Sequence, residues 1–262
     1  MNAMLKKQFL ANLPPEYYDA KVLPGKRILL SDATNQEIRM FDIEGKHTFS
    51  YTCGFRPVNL AVMDRDTVAV TTYQSIEILE VGAAEIKLKV SIPTNDKRYK
   101  AVAAIDSTTL ALGFWETPGI VVIDITAPKE IHRLEKVSTE MGYPISMVAT
   151  PDGCLVCSNF IDTVVKIKSD TGETVLSKEV HYNRGIAVDQ NGNVFWTERD
   201  RQRLHLILYD NEAGTWTKDL VLWEVPKQGH ADELWGVDVR DGICVCATKQ
   251  GCVFILDLKF MS

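Results

Sequence analysis

An all-β chain of six repeats, closed into a β-propeller, is the fold class this sequence predicts, and three observations predict it. First, a strand, a tight polar turn and a second strand recur along the chain. The plainest copies are Gly185–Trp196, Ile145–Cys157 and Gly236–Val245. Their turns, Asn191-Gly192, Asp152-Gly153 and Asp241-Gly242, supply the positive φ that tight hairpins need. Weaker copies stand at Val22–Ile28, Leu60–Val68 and Ala103–Leu110. Second, the recurrence is regular. The last apolar residue of each first strand falls at Val22, Val62, Ala104, Ala149, Val188 and Val239, gaps of 40, 42, 45, 39 and 51 residues. The mean of about 43 is the size of a propeller blade. Third, each hairpin is followed by an apolar third strand, such as Ile120–Asp124 or Val253–Asp257, and then by an outer fourth, such as Glu173–Ser177. Four strands make a blade.

The elements follow in order. Blades are expected at about 14–53, 54–93, 94–137, 138–181, 182–225 and 226–260, within a single domain spanning 5–262. The last unit ends at Leu258 without an outer strand, while a spare extended segment, 7–13, precedes the first. That segment is expected to fill the gap and close the ring, which protects a strand edge that would otherwise invite aggregation. Met1 to Met4 read as a vector remnant.

Composition narrows the function classes. With 45% hydrophobic and 24% charged residues, the 262-residue chain is an ordinary globular protein. No apolar run approaches the ~18 residues of a membrane span, and the N-terminus lacks a signal-peptide layout. The six cysteines, Cys53, Cys154, Cys157, Cys244, Cys246 and Cys252, are therefore expected as reduced thiols of a cytoplasmic protein. Cys154 and Cys157 have CxxC spacing, but no second pair or nearby His completes a zinc site. On a strand they also point to opposite faces, so they read as buried small hydrophobes. No metal or cofactor is expected. The five histidines, His47, His132, His181, His205 and His230, fall at inconsistent repeat positions, so no catalytic constellation is expected.

Residues 184–210, RGIAVDQNGNVFWTERDRQRLHLILYD, resemble an NHL repeat, and residues 22–46 resemble the first NHL-like blade at the C-terminus of TRIM-type proteins. The likeness is fair at 145–168 and 236–257, poor at 59–81 and 102–125, and the Asn-Arg element before the third strand is largely missing. The resemblance implies a domain that recruits targets for ubiquitin transfer, with any RING-type ligase activity belonging to a longer parent. Other members of this family bind single-stranded RNA on one face.

In a propeller, the loops leading into each innermost strand share one face with those joining second to third strands, and loops on a rigid scaffold are where function concentrates. On this sequence those positions are Arg56, Tyr73, Arg98, Tyr99, Lys100, Trp115, Tyr143, Phe160, Tyr182, Arg184, Arg199, Arg201 and Trp235, with Lys97 and Lys249. Interspersed are Asp32, Glu116, Asp162, Glu198, Asp200, Asp232 and Glu233, so the face is nearly neutral while the chain carries −6. Tyr, Trp and Arg are preferred interface anchors, which makes a protein or peptide the expected ligand. Single-stranded RNA, with a base stacked on Tyr99 or Tyr182, is the alternative. The pI near 5.5 opposes it. A propeller enzyme comes third, and neither DNA nor a membrane is an expected partner.

Overall fold

A computed structural model describes residues 2–10, 15–94, 98–127, 129–134, 137, 142–225 and 233–259. The chain opens with β1 (Asn2–Leu10). Blade one is β2 (Tyr17–Leu23), β3 (Arg27–Asp32), β4 (Glu37–Phe41) and β5 (His47–Thr52). Blade two is β6 (Pro57–Val62), β7 (Thr67–Thr72), β8 (Ser75–Val81) and β9 (Ile86–Pro93). Blade three is β10 (Tyr99–Ala104), β11 (Thr109–Phe114), β12 (Ile120–Asp124) and β13 (Lys129–Arg133). Blade four is β14 (Pro144–Thr150), β15 (Cys154–Asn159), β16 (Thr163–Lys168) and β17 (Thr174–Glu179). Blade five is β18 (Asn183–Val188), β19 (Val194–Glu198), β20 (Arg203–Asp210) and β21 (Thr215–Glu224). Blade six is β22 (Leu234–Arg240), β23 (Ile243–Thr248) and β24 (Cys252–Lys259), with β1 as its fourth strand. Every neighbouring pair is antiparallel, and no helix occurs among the described residues.

Ring closure differs in detail from the expectation. β1 pairs with β24 from Asn2↔Lys259 to Leu10↔Cys252, with one irregularity between Leu5 and Lys7. The closing strand thus includes Asn2, Ala3 and Met4, residues expected to be a remnant, and 11–13 lie outside the described residues. The reason is length: β24 runs eight residues, and its whole edge needs a partner. Phe9 anchors the strand, its ring 5.0 Å from that of Phe41.

The core is divided among the blade interfaces. Six apolar clusters occupy the six junctions between neighbouring blades. Strand periodicity explains the division, because successive side chains point to opposite faces of a sheet buried on both sides. In β7, Val68 and Val70 pack towards blade one while Ala69 packs towards blade three. The six cysteines are all free and buried, Cys157 in the junction of blades three and four.

A repeated hydroxyl joins four of the six blades to the next. Near the end of the second strand, Ser31, Thr71, Ser158 and Thr197 donate to the backbone carbonyls of Val58, Lys100, Arg184 and Trp235, at 2.9, 2.9, 2.7 and 3.3 Å. The acceptors occupy one equivalent position, four residues before the marker residue of each repeat, and this clasp fixes where their side chains begin. Blade three has Gly113 there instead, and a Cβ on it would fall 2.7 Å from Pro144 Cβ. On the opposite face, Gly25-Lys26 (φ 78° and 61°) and Asp241-Gly242 (φ 51° and 74°) make hairpin turns with two consecutive positive φ values.

Candidate functional site

The equivalent position in the six blades holds Tyr18, Val58, Lys100, Ile145, Arg184 and Trp235. These residues converge on one end of the central channel, together with Asn59 and Ser146. Asn59 Nδ2 donates across the channel to the carbonyl of Ile145 at 3.2 Å. The mouth is therefore a shallow bowl with a floor.

Around the bowl, three cations and five aromatic rings form a closed circuit through all six blades. Tyr18 stacks on Trp235 at 4.6 Å. The Arg56 guanidinium lies 4.9 Å from the Tyr18 ring and 5.8 Å from that of Tyr73. Tyr73 meets Trp115 edge-on at 5.6 Å. The Lys100 ammonium sits 4.6 Å from the Trp115 ring and 4.4 Å from that of Phe160. Arg184 then spans from Phe160, at 5.5 Å, back to Trp235, at 5.6 Å. Each cation lies within the range in which the negative face of an aromatic ring attracts it.

The three cations are not equivalent. Arg56 is neutralised by an ion pair with Glu16 and donates to Tyr18 Oη at 2.6 Å. Lys100 is only 5% exposed and has no carboxylate within ion-pair distance among the described residues. Burial, and then the charge of Arg184, push its amine down to about 7. Arg184 is likewise without a carboxylate partner among the described residues. Its Nη1 donates to the Asn183 carbonyl at 3.2 Å, its Nε is buried without a partner, and burial lowers its pKa. Two basic groups without an ion-pair partner among the described residues therefore stand at the centre of the mouth, Arg184 within the longer-range field of Glu233, Asp162 and Asp200.

The sequence expectations divide accordingly. Arg56, Tyr73, Lys100, Trp115, Phe160, Arg184 and Trp235 come together in the circuit. Tyr143 and Tyr182 lie outside it, exposed. Tyr143 is 6.2 Å from Phe160, and Tyr182 lies under the Arg199 guanidinium at 5.7 Å. Arg98, Arg199 and Arg201 are paired with Glu116, Asp200 and Glu198 at 3.3, 2.6 and 3.6 Å. Tyr99 is a correction: it is buried in the junction of blades two and three, packed on Phe114 at 5.2 Å, and presents no surface for a ligand. It precedes Lys100 on β10, so alternation that sends Lys100 to the mouth sends Tyr99 inward. Lys97 and Asp232 lie outside the described residues. Tyr18 was missed by sequence reasoning. Its signal was the repeat itself, since it stands four residues before Val22, as Lys100 stands before Ala104.

Elsewhere, the far end of the channel opens into a cavity of about 260 Å³ bounded by Lys21, Asp189, Asp238 and Arg240 together with alanine, valine and other apolar side chains. Lys21 Nζ lies 3.0 Å from Asp19 Oδ1, and Asp238 Oδ2 accepts from the Val22 N–H at 2.7 Å. On the flank of blade five, His205 lies between Glu198, at 3.0 Å, and Asp219, at 3.4 Å, stacked on Trp196. No group of three or more His, Cys, Asp or Glu side chains among the described residues is placed to hold a metal ion.

No family model matches the chain, and no curated protein matches it in sequence. Solved structures do resemble it. A streptogramin B lyase superposes with a TM-score of 0.72 at 15% identity, covering 99% of both chains. Virginiamycin B lyase from Staphylococcus aureus gives 0.71 at 13% identity, over 98% of this chain and 100% of that one. The Cps50 (Swd1) β-propeller domain of Myceliophteria thermophila gives 0.63 at 10% identity, over 93% and 84%. The likeness is one of fold. The chain is a six-bladed β-propeller, and at these identities its function has to be argued from the channel mouth.

Proposed function

We propose that this propeller is a binding module for a protein or peptide, which it engages at the channel mouth. The carrying observation is the closed circuit of five cation-facing aromatic rings and three cations contributed by all six blades. Aromatic and arginine side chains on a rigid scaffold are the anchors from which binding hot spots are built. Exposed Phe55, Tyr143, Phe160 and Tyr182 extend the apolar surface outward from the circuit. The resemblance of blades one and five to propellers that recruit targets for ubiquitin transfer suggests target recruitment in the cytoplasm as the setting. Single-stranded RNA is the second reading, favoured by the same pairing of rings and cations. It is opposed by the acidic chain and by the pairing of Arg98, Arg199 and Arg201 with carboxylates.

The test is to isolate a partner from a cell extract with and without ribonuclease and to measure its affinity for wild type, Trp115→Ala and Trp235→Ala. Truncating a true anchor costs ~2 kcal/mol or more, so each variant should bind at least about thirtyfold more weakly while keeping its melting curve. Unchanged affinity in both variants places the ligand elsewhere. Loss of the partner with ribonuclease makes RNA the ligand.

A further inference from the structure

Burying a charge without an opposite charge is expensive, and proteins tolerate it where something else supplies the partner. Lys100 and Arg184 stand together at the mouth, and neither has a carboxylate at ion-pair distance among the described residues. The facing rings soften the cost without cancelling the charge. Nearby acidic groups have other partners: Glu16 has Arg56, Glu116 has Arg98, Asp200 has Arg199, Glu233 accepts from the Trp235 indole N–H at 2.9 Å, and Asp162 accepts from the Tyr182 backbone N–H at 2.9 Å.

We propose that the mouth receives an acidic side chain, the carboxylate of an Asp or Glu in an extended peptide, between Lys100 and Arg184. The neighbours of that residue in the peptide lie on Phe160, Trp115 and Trp235. The proposal rests on the binding-module reading and deepens it by naming the group recognised. Three features select this ligand. The space above Asn59 is about 10 Å³, room for about one water-sized atom group such as a single carboxylate oxygen, so the rest of the ligand has to lie across the face. The exposed aromatics around the circuit give it an apolar surface to lie on. The donors are few, an ammonium and the free edge of one guanidinium, which suit a carboxylate better than a phosphate with its three strong acceptor oxygens and second charge.

The experiment selects binders from a displayed library of random ten-residue peptides on the full chain, then remeasures the winners with their acidic residue changed to Gln. Winners are expected to carry Asp or Glu at one fixed position beside aromatic or aliphatic residues. Exchange to Gln should weaken binding to wild type by at least about tenfold, the scale of a charge-assisted hydrogen bond, and should change little for the Lys100→Met/Arg184→Met double variant. Winners without an acidic position, or an equal Gln penalty in wild type and double variant, overturn the proposal. Acid-free winners lost on Trp115→Ala or Trp235→Ala would sink the acidic group alone and leave the binding face standing. Winners indifferent to those Trp variants, or no winners above bare support, overturn both. Displacement of the winners by lower concentrations of a ten-nucleotide single-stranded RNA would transfer the site to nucleic acid.

Discussion

Lys100 shows how one residue can weaken a fold and mark its site. Its amine titrates at about 7 in the folded protein against 10.5 when free in solution. Between those values the unfolded chain holds the extra proton, so stability from this group rises with pH across that window. Below pH 7 both states are protonated and the full penalty, on the order of a few kcal/mol, is present. Lys100→Met should therefore melt at least ~5 °C above wild type at pH 6.5 to 7. The gap should shrink steadily as the pH approaches 10. Paired melts at pH 7 and 9.5 check this, and coincident curves at pH 7 would show that the lysine is not strained by burial. The linkage runs the other way for an anionic ligand, whose affinity should fall as pH rises through 7 and Lys100 loses its proton. A lysine that costs stability at neutral pH fits a group kept for binding. The sequence drew attention to Lys97-Arg98-Tyr99-Lys100 but misjudged its middle, because it read a loop where β10 already begins at Tyr99.

At the scale of elements, the clasp and the closing strand hold the mouth in place. Thr197 accepts from the Gly185 N–H at 2.9 Å and donates to the Trp235 carbonyl, joining blades five and six. Thr197→Val leaves both buried backbone groups unsatisfied and should cost ~1–3 kcal/mol in urea unfolding, whereas Thr197→Ser should cost much less. Equal losses in the two variants would assign the effect to packing of the methyl group. β1 closes the ring along the length of β24. Removing residues 1–10 should bare that edge, lower the melting temperature by several degrees, and make the protein self-associate in sedimentation. An unchanged melt would mean that blade six is complete without it. Strand identity was legible because hairpin turns and apolar alternation are local signals. The bounds of β1 were not, since they depend on the length of a strand some 240 residues away in the chain.

At the scale of the molecule, charge is distributed against nucleic acid. The six-fold repeat could be read from a period, and with it the face on which loops converge. Which loop residues meet could not, because the circuit closes through the contact of Tyr18 with Trp235, the first blade with the last. What closure gathers is a small positive centre on a body of net charge −6. RNA binding gains most of its affinity from phosphate contacts that release counterions, with a slope near −0.7 per contact for a single strand. Of the cations on this face, Arg56, Arg98, Arg199 and Arg201 are already held by carboxylates. That leaves Lys100, Arg184 and, over the Trp235 ring at 5.7 Å, Lys249 among the described residues, and Lys100 is half-deprotonated near neutral pH. A long polyanion would thus gain about three contacts at most and meet repulsion beyond them, while a short acidic peptide meets the centre and little else. Labelled single-stranded RNA titrated at ~150 mM salt should accordingly show no submicromolar affinity. Submicromolar binding that is lost on Arg98→Glu and Arg184→Glu would instead make RNA the leading ligand of the mouth.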